Sequence, residues 1–206
     1  MPSALIHLKA GKYAAETLYK NKGKTPDICY YVGNVAPDSV SRPRELKDKM
    51  HLRIYPHNER VDHLAEMAHN VGGDEYRLGA LLHLWADLCW DEGPQSEHHN
   101  TYVGEDWFHD YRNEISLASS YIYHSEPWGK PMWQNMLASN LERDCVSLDA
   151  YTADDIRGYL ERNGKWHDEN VIGPSPAFPP EAVEKFCREC VDSFLKFYEK
   201  EGKQNA

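Results

Sequence analysis

At 206 residues the chain is one domain's worth of polypeptide, long enough to bury a sizeable core. Its composition, 41% hydrophobic, 12% aromatic and 27% charged, is that of a globular protein. A net charge of -10 leaves no basic surplus to neutralise a phosphate backbone, so a stable nucleic-acid partner is not expected; a phosphodiester held by metal ions is not excluded.

The five cysteines, Cys29, Cys89, Cys145, Cys187 and Cys190, are odd in number and unevenly spaced, unlike a disulfide framework. Cys187-x-x-Cys190 has no second CxxC to complete a zinc site and reads as two neighbouring thiols on a late helix. The opening Met-Pro-Ser-Ala-Leu-Ile-His lacks a basic n-region, and no apolar run reaches membrane-spanning length. The expectation is a cytoplasmic protein with no membrane span.

In chain order, Ser3 is placed to cap a first helix running to about Lys20, with Leu5, Leu8, Ala15 and Leu18 among its apolar positions. A short apolar stretch, 27–32, leads into an ordered loop over 33–43. Residues 58–70 form an amphipathic helix on Val61, Leu64, Ala65 and Ala68. Gly72-Gly73 breaks the chain before a helix over 76–90, and 91–104 reads as a polar loop. Further helices are expected at 105–124, at about 152–163 and at 180–200 after a Pro-rich linker. With no alternating strand pattern and no repeat, the fold class is all-α, a multi-helix bundle in one domain. Its chemistry falls within about 1–125. From about Trp128 the helices carry no nameable chemistry, and the last one offers apolar positions for the bundle or for a dimer.

The 76–90 helix is apolar nearly all round and therefore buried. Within it His83 and Asp87 stand four apart on one face. A buried carboxylate without a partner costs several kcal/mol or takes up a proton. A metal ion removes that cost for both groups; a His–Asp hydrogen bond in the core is the plainer alternative. On the 105–124 helix, Trp107, Tyr111, Ile115, Ala118, Tyr121 and Ile122 make the apolar face. Glu114 falls inside it and Asp110 at its edge, a second i, i+4 pair that needs a cation in a dry core. Arg112 lies roughly opposite and His109 points away. His7, early on the first helix, Asp38, in the loop after Ala36-Pro37, and His51, in Lys49-Met-His-Leu-Arg53, complete the candidates.

The order His7, Tyr31-Val-Gly-Asn-Val-Ala-Pro-Asp38, His51, Gly79-Ala-Leu-Leu-His-Leu-Trp-Ala-Asp87, then Asp110-Tyr-Arg-x-Glu114-Ile, resembles the zinc-dependent phospholipase C family over roughly residues 1–125. The all-helical fold of that family is shared with single-strand nucleases and with a small intracellular-looking branch. The resemblance implies a metal site built from His7, Asp38, His51, His83, Asp87, Asp110 and Glu114. Asp87 is the expected bridging ligand, and Asp38 a ligand or the base that orients the water. Secreted members use an N-terminal tryptophan as a zinc ligand and carry a histidine soon after HxxxD. Neither is present here, so one or two ions are expected, and without a lipid-binding domain no phospholipid substrate is implied.

Imidazole and carboxylate together suit Zn²⁺, with Mn²⁺, Fe²⁺ or Ni²⁺ feasible. The implied function is a metal-dependent phosphoric ester hydrolase acting on a small phosphorylated substrate, with Asp38 and Asp87 as catalytic residues and Arg53 or Tyr55 near the phosphate. Two alternatives stand beside it. One is a non-catalytic helical protein with a structural metal or buried polar network. The other is an HD-type phosphohydrolase, whose His-Asp dipeptide occurs only at His109-Asp110 and His167-Asp168, the earlier Asp62-His63 being reversed.

Overall fold

The computed structural model describes residues 1–20, 23–40, 43–145 and 151–202. The helices are α1 (Ala4–Leu18), α2 (Ile28–Gly33), a 3-10 turn (Ala36–Ser39), α3 (Arg44–Met50), α4 (His57–His69) and α5 (Glu75–Glu92). Beyond them come α6 (Pro94–Thr101), α7 (Trp107–Ser125), α8 (Gly129–Ala138), α9 (Leu141–Asp144), α10 (Ala153–Glu169) and α11 (Pro180–Glu201). Among the described residues there is no strand, so the all-α expectation holds. The expected polar loop at 91–104 instead contains α6, begun by Pro94 at a position where a missing N–H costs nothing. Helix α3 lies where the sequence carries no clear apolar period, and α10 runs six residues past its expected end.

Helix α5 is the axis of the structure, packed against α1, α2, α4, α6 and α11. Its start is set locally. Gly72 and Gly73 take φ of +55° and +85°, and the Asp74 side chain accepts the Arg77 N–H at 3.1 Å. Leu81 and Leu82 are fully enclosed, each contributing about 1.5–3 kcal/mol of burial.

The crossing of α2 over α5 positions the site. A Cβ on Gly33 would lie 2.0 Å from the Tyr76 carbonyl oxygen, and one on Gly79 2.0 Å from that of Tyr30. Only glycine at both positions lets the two backbones approach this closely. Asn34, just past α2, then donates from Nδ2 to the Gly79 carbonyl at 3.3 Å and turns its own carbonyl toward His83.

Helix α11 buries Val183, Phe186, Val191 and Phe194 within this chain. Between α1 and α11, Lys9 holds Glu126 and Glu184 at 2.5 and 3.0 Å. Contrary to the expectation from cysteine spacing, Cys29 and Cys145 form a disulfide that ties α2 to the end of α9. Cys89, Cys187 and Cys190 are free thiols. Among the described residues no helix is long and apolar enough to cross a membrane.

Candidate metal centre

Five of the seven candidate ligands meet in one place. His7 comes from α1, Asp38 from the 3-10 turn, His51 from the end of α3, and His83 and Asp87 from α5. His7, His83 and Asp87 have no solvent exposure, His51 has 1% and Asp38 9%. Donor atoms of His7, Asp38 and His83 lie within 4.8 Å of one another, as do those of His51, His83 and Asp87. Two ligand triads therefore share His83.

Each imidazole is aimed by its surroundings. His83 Nδ1 donates to the Asn34 carbonyl at 2.9 Å, which fixes its tautomer and leaves the Nε2 lone pair facing inward. Nε2 has no hydrogen-bond partner and lies 3.6 Å from Asp87 Oδ2. The His7 ring stacks on His83 at 3.7 Å, with both nitrogens unpartnered and Nε2 3.5 Å from Asp87 Oδ1, itself unpartnered.

His51 is held differently. It is the cap residue of α3, whose end is closed by Leu52 N–H to the Lys49 carbonyl and Arg53 N–H to the Asp48 carbonyl. Leu52 takes φ +58° there, a conformation usually left to glycine. The His51 ring reaches Asp87 Oδ2 at 2.5 Å through Nδ1 and the Pro37 carbonyl at 3.1 Å through Nε2. Both oxygens only accept, so each contact needs a proton or a cation on the ring nitrogen.

The charges are arranged to suit a cation. Burial works against ionised Asp38, yet His83, Lys47 and His51 hold its pKa down to about 2. Burial likewise opposes ionised Asp87, but the surrounding histidines, His51 foremost, keep it well below the usual carboxylate range. Burial and the neighbouring His7 push His83 down to about 3, against the pull of Asp87 and Asp38, so its ring is neutral and free to ligate. The fit to a transition metal rests on the orphaned atoms. Two ligands on one tetrahedral ion with bonds of about 2.0–2.2 Å lie about 3.4 Å apart. The His7–Asp87 and His83–Asp87 spacings of 3.5 and 3.6 Å match that value and are too long for hydrogen bonds.

Asp110 and Glu114 are not brought to this cluster. Asp110 lies exposed in the first turn of α7, where the helix dipole favours an acid, and accepts from the Tyr102 hydroxyl at 2.5 Å. Glu114 points toward the Pro-rich linker, accepting from Ser175 Oγ at 2.5 Å and from the Ala177 N–H at 3.0 Å. Arg53 is committed to Asp91, at 2.9 and 3.1 Å, and Tyr55 packs its ring on His63. Of the His-Asp dipeptides, Asp110 is accounted for above and Asp168 pairs with Lys130.

A cleft of about 270 Å³ adjoins the cluster at Asp38. One wall is α7, through Arg112, Ser116 and Ser119; the other is α10, through Tyr159, Asn163, Trp166 and His167. Apart from His167, named above only as half of a His-Asp dipeptide, none of these carries a role in the sequence reading. The signal there is Arg112, Ser116 and Ser119 at i, i+4 and i+7 on α7 and Tyr159 and Asn163 at i and i+4 on α10, which from the sequence alone looks like a solvated face. No family model, no curated protein and no solved structure matches this chain.

Proposed function

We propose that the protein is a metal-dependent hydrolase of a phosphoric ester, with its centre formed by His7, Asp38, His51, His83 and Asp87. The observation that carries this reading is the set of buried, unpartnered donor atoms, His7 Nδ1 and Nε2, His83 Nε2 and Asp87 Oδ1. Leaving several polar atoms unsatisfied in a core costs about 1–3 kcal/mol each. A divalent ion, zinc foremost, would remove that cost, lower the pKa of a nearby water and stabilise the charge on a phosphoryl group.

Within the protein the roles divide by position. Asp87 presents Oδ2 toward His51 and Oδ1 toward His7, so both of its oxygens would be available to hold a divalent ion. His83 and His7 supply ring nitrogens from one stacked pair. Asp38 alone of the five also lines the cleft, which suits it to orient a water and accept its proton. In the net reaction the water's hydroxyl goes to phosphorus as the ester P–O bond breaks, and its proton ends on the departing alcohol.

A closed structural metal site is the second reading, favoured by the absence of any exposure at His7, His83 and Asp87. Metal analysis by mass spectrometry tests both. The wild type is expected to hold about one to two equivalents of zinc or another transition metal, lost in Asp87→Ala and His83→Ala. A protein that stays metal-free after incubation with Zn²⁺ overturns both readings. Asp38→Asn separates them: retained metal with abolished phosphoesterase turnover supports the hydrolase, whereas a wild type that holds metal but turns over neither phosphate monoesters nor diesters supports the structural site.

A further inference from the structure

We propose that the cleft between α7 and α10 is the substrate site, and that it takes the phosphate monoester of a small polar alcohol, with Lys47 and Arg112 holding the phosphate. The inference rests on the hydrolase reading above and adds to it the substrate class and two recognition residues.

Charge is the first observation. The chain as a whole carries -10, yet among the described residues the ionised side chains lining this cleft are Lys47 and Arg112 against Asp38 alone. Lys47 Nζ lies 3.5 Å from Asp38 Oδ1, which places the ammonium at the junction of cleft and cluster. Arg112 has no carboxylate partner among the described residues. Its guanidinium can therefore meet two oxygens of a phosphate at once.

The start of α1 adds to this. Ser3 and Ala4 line the cleft, and Ser3 Oγ, at the cap position, is buried without a partner and makes no bond to the helix. The Ser3 carbonyl accepts from the Ile6 and His7 N–H groups, which leaves those of Ala4 and Leu5, at the start of a fifteen-residue helix, uncapped by the Ser3 side chain. A further buried polar group faces the same space. His167, 4% exposed, lines the cleft with its ring bonded to Ser119 Oγ at 3.2 Å, and its Nδ1 is unpartnered.

Size and lining decide the class of ester. A cavity of about 270 Å³ lies below the roughly 300–1,000 Å³ that drug-sized ligands occupy. It has room for one phosphate and one short group. Tyr159 and Asn163 on the α10 wall offer a hydroxyl and an amide to a polar alcohol. The two cations and the helix start favour a dianion over the single charge of a diester.

Methyl phosphate and dimethyl phosphate are the probes, titrated calorimetrically into zinc-loaded protein whose metal content and helicity are measured in parallel. Methyl phosphate is expected to bind at least tenfold more tightly than dimethyl phosphate. Arg112→Gln and Lys47→Gln are each expected to weaken it by about tenfold or more with zinc content unchanged, and Arg112→Lys to recover part of the loss. Equal affinity for the two probes, or wild-type affinity in both glutamine variants, overturns this proposal while leaving the metal centre standing. A wild type that holds no zinc overturns the hydrolase reading and this inference with it.

Discussion

Helices α5 and α7 each carry two polar residues four apart on an apolar face, and the two pairs end in opposite surroundings. His83 and Asp87 sit at the middle of a helix enclosed by neighbours on several sides, with no exposure at either. Asp110 and Glu114 lie near the start of α7, Asp110 exposed and Glu114 partly so although Tyr111 and Ile115 beside them are buried, and each finds a hydroxyl or an amide instead of a cation. Spacing set each pair four residues apart; the number of elements packed around them left one pair fully buried and the other in reach of water. The cost differs accordingly. Groups on α5 are fully desolvated, whereas those on α7 keep water or neutral donors in reach.

Four experiments sharpen that contrast. The largest effect is expected from Gly79→Ala, whose added methyl would sit 2.0 Å from the Tyr30 carbonyl oxygen and force α2 off α5. A loss of about 3 kcal/mol or more in denaturant unfolding is expected, together with loss of bound metal as Asn34 releases His83. Wild-type stability in this variant would show that the close helix crossing does not hold the centre.

Next, Asp87→Asn and Asp110→Asn should part company. The first is expected to lose most of its metal and the second none, as measured by mass spectrometry under identical loading. Metal loss from Asp110→Asn would place α7 at the centre after all. Third, Glu114→Gln should loosen the 173–180 linker and cost about 1–2 kcal/mol without touching metal content. Faster proteolysis confined to that linker is the readout, and an unchanged digestion pattern would argue against Glu114 as its anchor.

The smallest effect concerns a carboxylate held by cations rather than by imidazoles. Partial burial opposes ionisation of Glu184, but hydrogen bonds from Tyr13, Lys9 and Arg188 hold its pKa near about 2, against an ordinary 4.5. Its contribution to stability is therefore present above pH 4.5 and is lost as pH falls from 4.5 toward 2. Glu184→Gln should lower stability at neutral pH and flatten the acid limb of the stability profile in that window. An acid limb identical to wild type would mean that the Lys9 bridge does not discriminate the folded state.

Much of the helical framework is legible in the sequence. Periodicity at 3.6 residues marks α1, α4, α5, α7 and α11, and Gly72-Gly73 with Asp74 marks the start of α5, because helix geometry and capping are local. The apolar surroundings of His83 and Asp87 signal a buried pair, since one helix wheel suffices to show that no polar face is left for them. Helix α6 escapes such a reading because its eight residues are wholly polar, with none buried, and follow no apolar period.

What the chain alone determined, then, is the helical class and the chemistry offered by His7, Asp38, His51, His83 and Asp87, each tied to a local pattern of a few residues. Tertiary structure decided which of the offered groups meet. It left Asp110 and Glu114 away from the cluster, paired Cys29 with Cys145 across 116 residues, committed Arg53 to Asp91, and set residues of α7 against residues of α10 to make a cleft beside Asp38. The reason is physical. A helix fixes where its side chains point within one turn, whereas burial, desolvation and the choice of partner depend on segments far away in sequence that pack against it.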